Sequence, residues 1–316
     1  MPQTVRGRFA PSPSGRMHLG NIYCALAAWL SCRAQGGTML LRIEDLDPDR
    51  SKPEYARLIA DDLLWLGLDW DEGGPGDRSF LQSTRGALYE NALDTLRAQG
   101  LLYPCFCTRA ELHAAQAPHA GDGRAVYDGR CRRLTPAERE RLAEQRAPAL
   151  RLAVPDGEIC FDDLFCGRVC RDPARDPGDI IVRRRDGVFA YQLAVVVDDA
   201  LMGVSEVIRG RDLLDSTPVQ LRLYQLLGYR PPRFGHIPLL VAPDGRRLSK
   251  RERDLDMGAL RAHFGAPEPL LGRLACAAGL LPRPEPVSAR DLIALYRPDA
   301  FSRGDIVIDP ADWAVS

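Results

Sequence analysis

The sequence predicts an α/β protein: a doubly wound parallel sheet, split by an insertion and followed by a helical C-terminal part. Three observations lead there. A strand, a turn-rich loop, a helix and a second strand follow one another between Val5 and Ile43, which is one half of a nucleotide-binding sheet. From Leu101 to about Asp186 the chain becomes rich in Cys, Arg, Pro and Gly, with short alternating stretches that interrupt this pattern. From Met257 onward the periodicity is helical, with breaks at Pro282 to Pro286.

Val5 to Ala10 reads as the first strand and Pro11 to Gly15 as a loop. Leu19 to Gln35 is a run of Leu, Ala and Trp closed by Gly36-Gly37, the pattern of a helix with a glycine stop. Thr38 to Ile43 reads as the second strand, and Tyr55 to Leu66 and Leu88 to Gln99 as further helices. Residues 1–100 are thus the first half of the sheet domain, and 101–188 the insertion. Strand character returns at Phe189 to Val197 and at Glu206 to Arg209. Thr217 to Leu227 is helical and Pro231 to Val241 leads into another strand, so 189–256 forms the second half. Residues 257–316 form a helical subdomain.

At 316 residues and 45% hydrophobic content the chain can bury a core of about two domains. A formal net charge of -1 excludes a chain-wide basic signature for nucleic acid. RNA contact would have to come from local patches: Arg130, Arg132 and Arg133; Arg183 to Arg185; or Arg246 to Arg253. A solvated face explains the first two equally well. Met1 to Arg8 is polar and unlike a signal peptide, and Leu270 to Leu281 is short and carries Arg273, so it cannot span a bilayer. The nine cysteines cluster, which suits a reducing compartment and metal binding better than a disulfide frame. The expectation is a soluble, cytoplasmic protein with no membrane partner.

Two motifs carry chemistry. The first is Arg8-Phe9-Ala10-Pro11-Ser12-Pro13-Ser14-Gly15 followed by His18-Leu19-Gly20-Asn21, between the first strand and the first helix. A helix N-terminus offers unpaired N–H groups and a positive dipole end, so anions bind there. Gly20 removes a side chain where a nucleotide would approach the backbone, and His18 can donate to phosphate oxygens. Taken alone, His18 and Gly20 fit a capped helix with a surface His. The second is Arg247-Leu248-Ser249-Lys250-Arg251 after the turn Asp244-Gly245. Lys250 can neutralise charge developing on a triphosphate as pyrophosphate leaves, with Ser249 beside it. Alone it reads as a basic surface loop.

The pairing of these loops, with L-R-I-E-D-L-D at Leu41 to Asp47, V-V-D-D-A-L-M-G at Val196 to Gly203 and V-I-R-G-R-D at Val207 to Asp212, resembles the class I glutamyl-tRNA synthetases over nearly the whole chain. The resemblance implies a Rossmann-like fold that activates glutamate with ATP. It implies His18 and Lys250 as catalytic groups, with His18, Gly20, Ser249 and Lys250 at ATP. It implies that Arg8 pairs with a substrate carboxylate, that Phe9, Ala10, Pro11 and Ser12 line the same site, and that Glu44 holds the substrate ammonium. Tyr191 and Arg209 match the remaining glutamate contacts. Magnesium is expected to arrive with ATP rather than at a dedicated protein site.

Cys105-x-Cys107 with Cys131 supplies three thiols that can hold zinc if a fourth ligand exists, and generic chemistry nominates His113 or His119. The chain also resembles a truncated branch of the family, the glutamyl-queuosine tRNA(Asp) synthetases, whose C-x-C…Y-x-x-x-C pattern makes tyrosine the fourth ligand. That implies Tyr127, with His119 as second choice because 19 residues separate Cys107 from Tyr127. One structural zinc ion is expected, pinning the insertion. Cys160, Cys166 and Cys170, with no His nearby, are assigned to packing, and His236 to a structural role. Past the Lys250 loop only about 65 residues remain, against the ~100–150 of an ordinary domain. Together with the H-L-G-N departure, this agrees with the truncated branch, and that resemblance implies transfer of glutamate to queuosine in tRNA(Asp) by a monomer. The alternatives are a conventional glutamyl-tRNA(Glu) synthetase without the anticodon domain, or a non-enzymatic paralogue.

Overall fold

The computed structural model describes residues 4–108, 127–246, 248 and 255–313. His113, His119, Arg247, Ser249, Lys250 and Arg251 lie outside the described residues. The elements run β1 (Arg6–Phe9), α1 (Leu19–Ala34), β2 (Thr38–Leu41), α2 (Pro53–Trp65), β3 (Glu72–Gly73) and α3 (Gly86–Ala98). Then come β4 (Leu102–Cys105), α4 (Pro136–Gln145), β5 (Ala149–Leu152), β6 (Ile159–Asp163), β7 (Gly167–Arg171) and β8 (Ile180–Arg183). After these follow α5 (Tyr191–Leu201), β9 (Glu206–Gly210), α6 (Thr217–Leu227), β10 (Arg233–Ile237) and β11 (Leu240–Val241). The chain continues through α7 (Met257–Phe264), α8 (Pro267–Ala278), α9 (Ala289–Ile293) and β12 (Ile306–Val307).

Strands β1, β2 and β3 pair in parallel, as do β9 and β10. The two groups meet at Arg6, whose N–H donates to Ser205 Oγ at 2.9 Å and whose carbonyl accepts from Ser205 N–H at 2.9 Å. Both faces are covered. In β2, Met39 and Leu41 join one apolar core, with α1, α2 and the C-terminal helices. Leu40, between them, joins the other, with α3, α5 and α6. Val207 and Ile208 of β9 divide in the same way, as the two-residue period of a strand requires. Helix α1 lies against β1, β2 and β9 and is buried nearly all round, which explains its lack of a polar face.

The fully buried Asp62 of α2 ties distant segments together. It accepts from Arg16 Nη2 at 3.1 Å and from Arg261 Nη1 of α7 at 3.0 Å, so the first loop, α2 and the C-terminal helices are held as one body. Between α3 and α5 the strands are antiparallel: β4–β5–β8 form one sheet and β6–β7 a hairpin. Helix α4 there carries a capping box, Thr135 with Glu138, and Pro136 at its first position, a local helix signal that the surrounding Arg, Pro and Gly obscure in the sequence.

Two expectations are corrected. Phe189 to Val197 is not a strand: Tyr191–Leu201 is helix α5, and Leu193 to Val197 are all buried. A short apolar run rich in Val reads as a strand because periodicity cannot separate a core strand from a helix packed on all sides. Cys160 and Cys170 do not serve packing. They face each other across β6 and β7 and form a disulfide, against the disulfide-free expectation. No helix of the described residues is long and apolar enough to cross a membrane.

Candidate active site

The β1–α1 loop, the end of β2, the start of α5 and the end of β9 enclose a cavity of about 470 Å³. Its wall includes Arg8, Phe9, Ala10, Pro11, Ser12, His18, Glu44, Tyr191 and Arg209, which are brought together from four separate segments. Parallel strands put their carboxyl ends on the same side, so Arg8, Glu44 and Arg209 arrive together. His18 caps α1. Its Nδ1 accepts from Gly20 N–H at 3.1 Å, which leaves the ring proton on Nε2, and Asn21 Oδ1 accepts from His18 N–H at 3.2 Å. Gly20 is not part of the cavity wall; a Cβ there would sit 3.0 Å from the His18 ring, so its smallness serves the cap. Asp256 forms a bridge to His18, and Met257 N–H donates to Met17 O at 2.8 Å. The segment following the Lys250 loop is therefore fastened beside the first motif.

A buried charge network underlies the cavity. Arg42 is fully buried. Its Nη1 donates to Asp199 Oδ1 at 2.6 Å and its Nη2 to Glu44 Oε1 at 3.2 Å. Arg8 Nε makes no hydrogen bond among the described residues and lies 3.5 Å from Asp199 Oδ1. Burial pushes the Glu44 carboxyl above its ordinary pKa, although Arg42 and Arg8 pull it down. Burial also opposes the Asp199 carboxylate, but Arg42 and Arg8 outweigh it and hold its pKa below the usual value. Asp198 is gripped by Arg85 Nε at 2.6 Å, Gln82 Nε2 at 2.7 Å and Tyr89 OH at 2.9 Å. Arg209 donates through Nη2 to Thr217 Oγ1 at 2.7 Å and Gln220 Oε1 at 2.8 Å, and through Nη1 to Tyr191 OH at 3.4 Å.

Residues 4–275 match the family described as tRNA synthetases class I (E and Q), catalytic domain. A glutamyl-Q tRNA(Asp) synthetase of Symbiobacterium thermophilum is 53% identical over 297 residues, 92% of this chain and 91% of the relative. One of Nitratidesulfovibrio vulgaris is 50% identical over 314 residues, 98% of this chain and 96% of the relative. The chain belongs to the class I tRNA synthetases, in their glutamyl-Q tRNA(Asp) branch. It is therefore a ligase of the aminoacyl-tRNA synthetase class. A solved structure of a glutamate tRNA ligase from Elizabethkingia meningosepticum, in complex with its amino acid, superposes with a TM-score of 0.79 at 27% identity. That likeness covers 98% of this chain and 68% of the other.

In this synthetase the sulfurs of Cys105, Cys107 and Cys131 lie within 4.8 Å of one another, mostly buried, a group that can hold a metal ion. Tyr127 joins them: its hydroxyl is 3.8 Å from Cys105 Sγ and accepts from Cys131 N–H at 2.9 Å. Arg151 Nε lies 3.2 Å from Cys105 Sγ and its guanidinium stacks 3.8 Å over the Tyr127 ring. A second group, Glu158 with Cys160 and Cys170, is largely exposed and its two sulfurs are already joined. Sequence reasoning passed over Arg42, Asp198 and Asp199, although all three stand inside the quoted motifs. Their pairing across the fold gives them their roles.

Proposed function

We propose that this synthetase activates L-glutamate with ATP and transfers the glutamyl group to queuosine at the wobble position of tRNA(Asp). The observation that carries the reading is the convergence of Arg8, Arg209 and Glu44 on one cavity, a charge pattern inverse to that of glutamate. Arg8 and Arg209 would take its carboxylates and Glu44 its ammonium, with Ser12 and Tyr191 adding hydrogen bonds and Phe9, Ala10 and Pro11 shaping the wall. The α-carboxylate attacks the α-phosphate of ATP, forming glutamyl-adenylate and releasing pyrophosphate. A hydroxyl of the cyclopentene ring of queuosine then attacks the glutamyl carbonyl and AMP leaves. His18, Gly20, Ser249 and Lys250 would serve ATP, and Mg²⁺ would travel with its phosphates. The names of the relatives in the glutamyl-Q branch support this acceptor. The reading includes a monomer working in the cytoplasm, where its tRNA is.

In the same proposal the two parallel strand groups are halves of a doubly wound Rossmann-like core, 1–100 and 189–256, with 101–188 as the metal-bearing insertion and 257–316 as the helical subdomain. Cys105, Cys107, Cys131 and Tyr127 would hold one Zn²⁺. Three converging sulfurs and a phenol oxygen suit zinc, and four protein ligands make the ion structural. His119 remains the alternative fourth ligand.

The test is transfer of labelled glutamate, with ATP, to queuosine-containing tRNA(Asp), to the same tRNA lacking queuosine, and to tRNA(Glu). Label on the queuosine form alone is expected. Label on tRNA(Glu) would instead make the protein a conventional glutamyl-tRNA synthetase. Lys250→Ala should slow glutamate-dependent ATP–pyrophosphate exchange by about 10²-fold, the cost of one preorganised transition-state contact; near-parental exchange would remove Lys250 from the reaction. Cys105→Ser should deplete bound zinc, read by elemental analysis, and weaken folding of the insertion more than it slows exchange. Full zinc content in that variant would contradict the ligand set.

A further inference from the structure

We propose that Asp163 and His236 are positioning residues that set the Arg209 guanidinium for a glutamate carboxylate. The inference rests on the glutamate reading above and adds two residues that it does not use. Asp163 ends β6 and His236 lies in β10, and both are buried. Asp163 Oδ2 is 2.6 Å from His236 Nδ1, and His236 Nε2 accepts from Arg209 Nε at 3.0 Å.

The direction of these bonds is forced by Arg209. A guanidinium only donates, so the nitrogen it meets must carry a lone pair. His236 Nε2 is therefore unprotonated, and its proton sits on Nδ1, where it is donated to Asp163. Burial lowers the His236 pKa, with Arg209 adding to that and Asp163 opposing it, which agrees with a neutral ring. Thr217 and Gln220 engage Nη2 of the same guanidinium, so its Nε and Nη2 edge is fixed by protein groups while Nη1 reaches Tyr191 on the cavity wall.

Asp163 is itself held rigidly. Its Oδ1 accepts from Phe165 N–H at 3.0 Å, Cys166 N–H at 2.9 Å and His236 N–H at 3.1 Å. Leu164 N–H donates to Phe234 O at 3.0 Å, so the turn of the β6–β7 hairpin is bonded onto β10. Gly235 permits this seat: a Cβ there would lie 2.8 Å from the Phe165 ring. The hairpin belongs to the segment between α3 and α5, so that segment reaches the substrate site through a carboxylate and a ring.

Asp163→Asn tests this without changing shape. The amide oxygen can keep the three backbone bonds, but the amide nitrogen then donates to Nδ1. The ring proton moves to Nε2, where it confronts the Arg209 N–H and competes with Arg209 Nη2 for Thr217 Oγ1, 3.0 Å away. In glutamate-dependent ATP–pyrophosphate exchange, the KM for glutamate should rise about tenfold to a hundredfold, as for one mis-set buried bond to a charged group. The KM for ATP and kcat should change little, because uniform substrate binding is what is lost. His236→Gln, whose amide oxygen can accept from Arg209 without Asp163, should stay closer to the parent than His236→Ala; this pair carries the test if Asp163→Asn does not fold. Arg209→Ala is the reference. If it raises the glutamate KM while Asp163→Asn leaves it within twofold, the positioning role is wrong and the glutamate site stands. The positioning role is equally wrong if Asp163→Asn raises both KM values together, which is loss of the fold. If Arg209→Ala leaves the glutamate KM unchanged, the glutamate reading fails and this proposal with it.

Discussion

Asp199→Ala is expected to lower the unfolding free energy by about 3–5 kcal/mol, the cost of removing one partner from a buried ion pair. Asp199 Oδ1 is 2.6 Å from Arg42 Nη1 and 3.5 Å from Arg8 Nε, and Arg42 has no exposed surface. Its remaining acids are Glu44 at 3.2 Å and Asp198 at 3.8 Å. Asp198 is already committed to Arg85, Gln82 and Tyr89, so it cannot turn to replace the lost carboxylate. Two guanidiniums would then share Glu44, one of them out of reach of water. The loss should appear as a lower urea midpoint at an unchanged slope, together with weakened glutamate activation as Arg8 loses its nearest acid. A parental midpoint would mean that the Arg42 charge is neutralised by other means, and the network would no longer explain the placement of Glu44.

The parts of this fold that were legible in the sequence are those fixed by neighbours along the chain. The β1–α1–β2 unit was readable because the turn-rich Pro11 to Gly15 loop precedes the helix, Gly36-Gly37 stops it, and the strand that follows, Thr38–Leu41, is short and mostly apolar. Helix α5 was misread because every residue from Leu193 to Val197 is buried, which erases the polar face that marks a helix. The capping box at Thr135 and Glu138 was a readable signal for α4, lost among the Arg, Pro and Gly of its surroundings. In the site, Arg8, Glu44, Tyr191 and Arg209 came from the family resemblance, and the fold gathers them on one cavity. Their supports were not legible. Arg42 and Asp199 are 157 positions apart, and Asp163 and His236 are 73 apart. A buried polar contact between such positions leaves no periodicity, spacing or local composition to read. The same is true of the Cys160–Cys170 disulfide, which depends on the register of β6 against β7.

Glu44→Gln is expected to reduce kcat/KM for glutamate by about 10³-fold, within the range for breaking a buried charge pair. The Glu44 side chain is 8% exposed, and its Oε1 is 3.2 Å from Arg42 Nη2. Glutamine keeps the shape, and its amide oxygen can keep the bond to Arg42, so the fold should survive. The negative charge facing the substrate ammonium is what disappears. The other acid on the cavity wall, Asp212, is exposed and cannot substitute at this depth. The pH profile separates loss of charge from loss of shape. Only the carboxylate form of Glu44 attracts the ammonium, so kcat/KM must fall as pH drops through its pKa. Burial raises that pKa, with Arg42 and Arg8 opposing, so the acid limb should lie above the ordinary carboxylate range. Since kcat/KM reports the free enzyme, the limb belongs to the unliganded site, and Glu44→Gln should abolish it. An acid limb at the ordinary carboxylate position, unchanged in the variant, would take Glu44 out of ammonium recognition and leave it a counter-ion for Arg42.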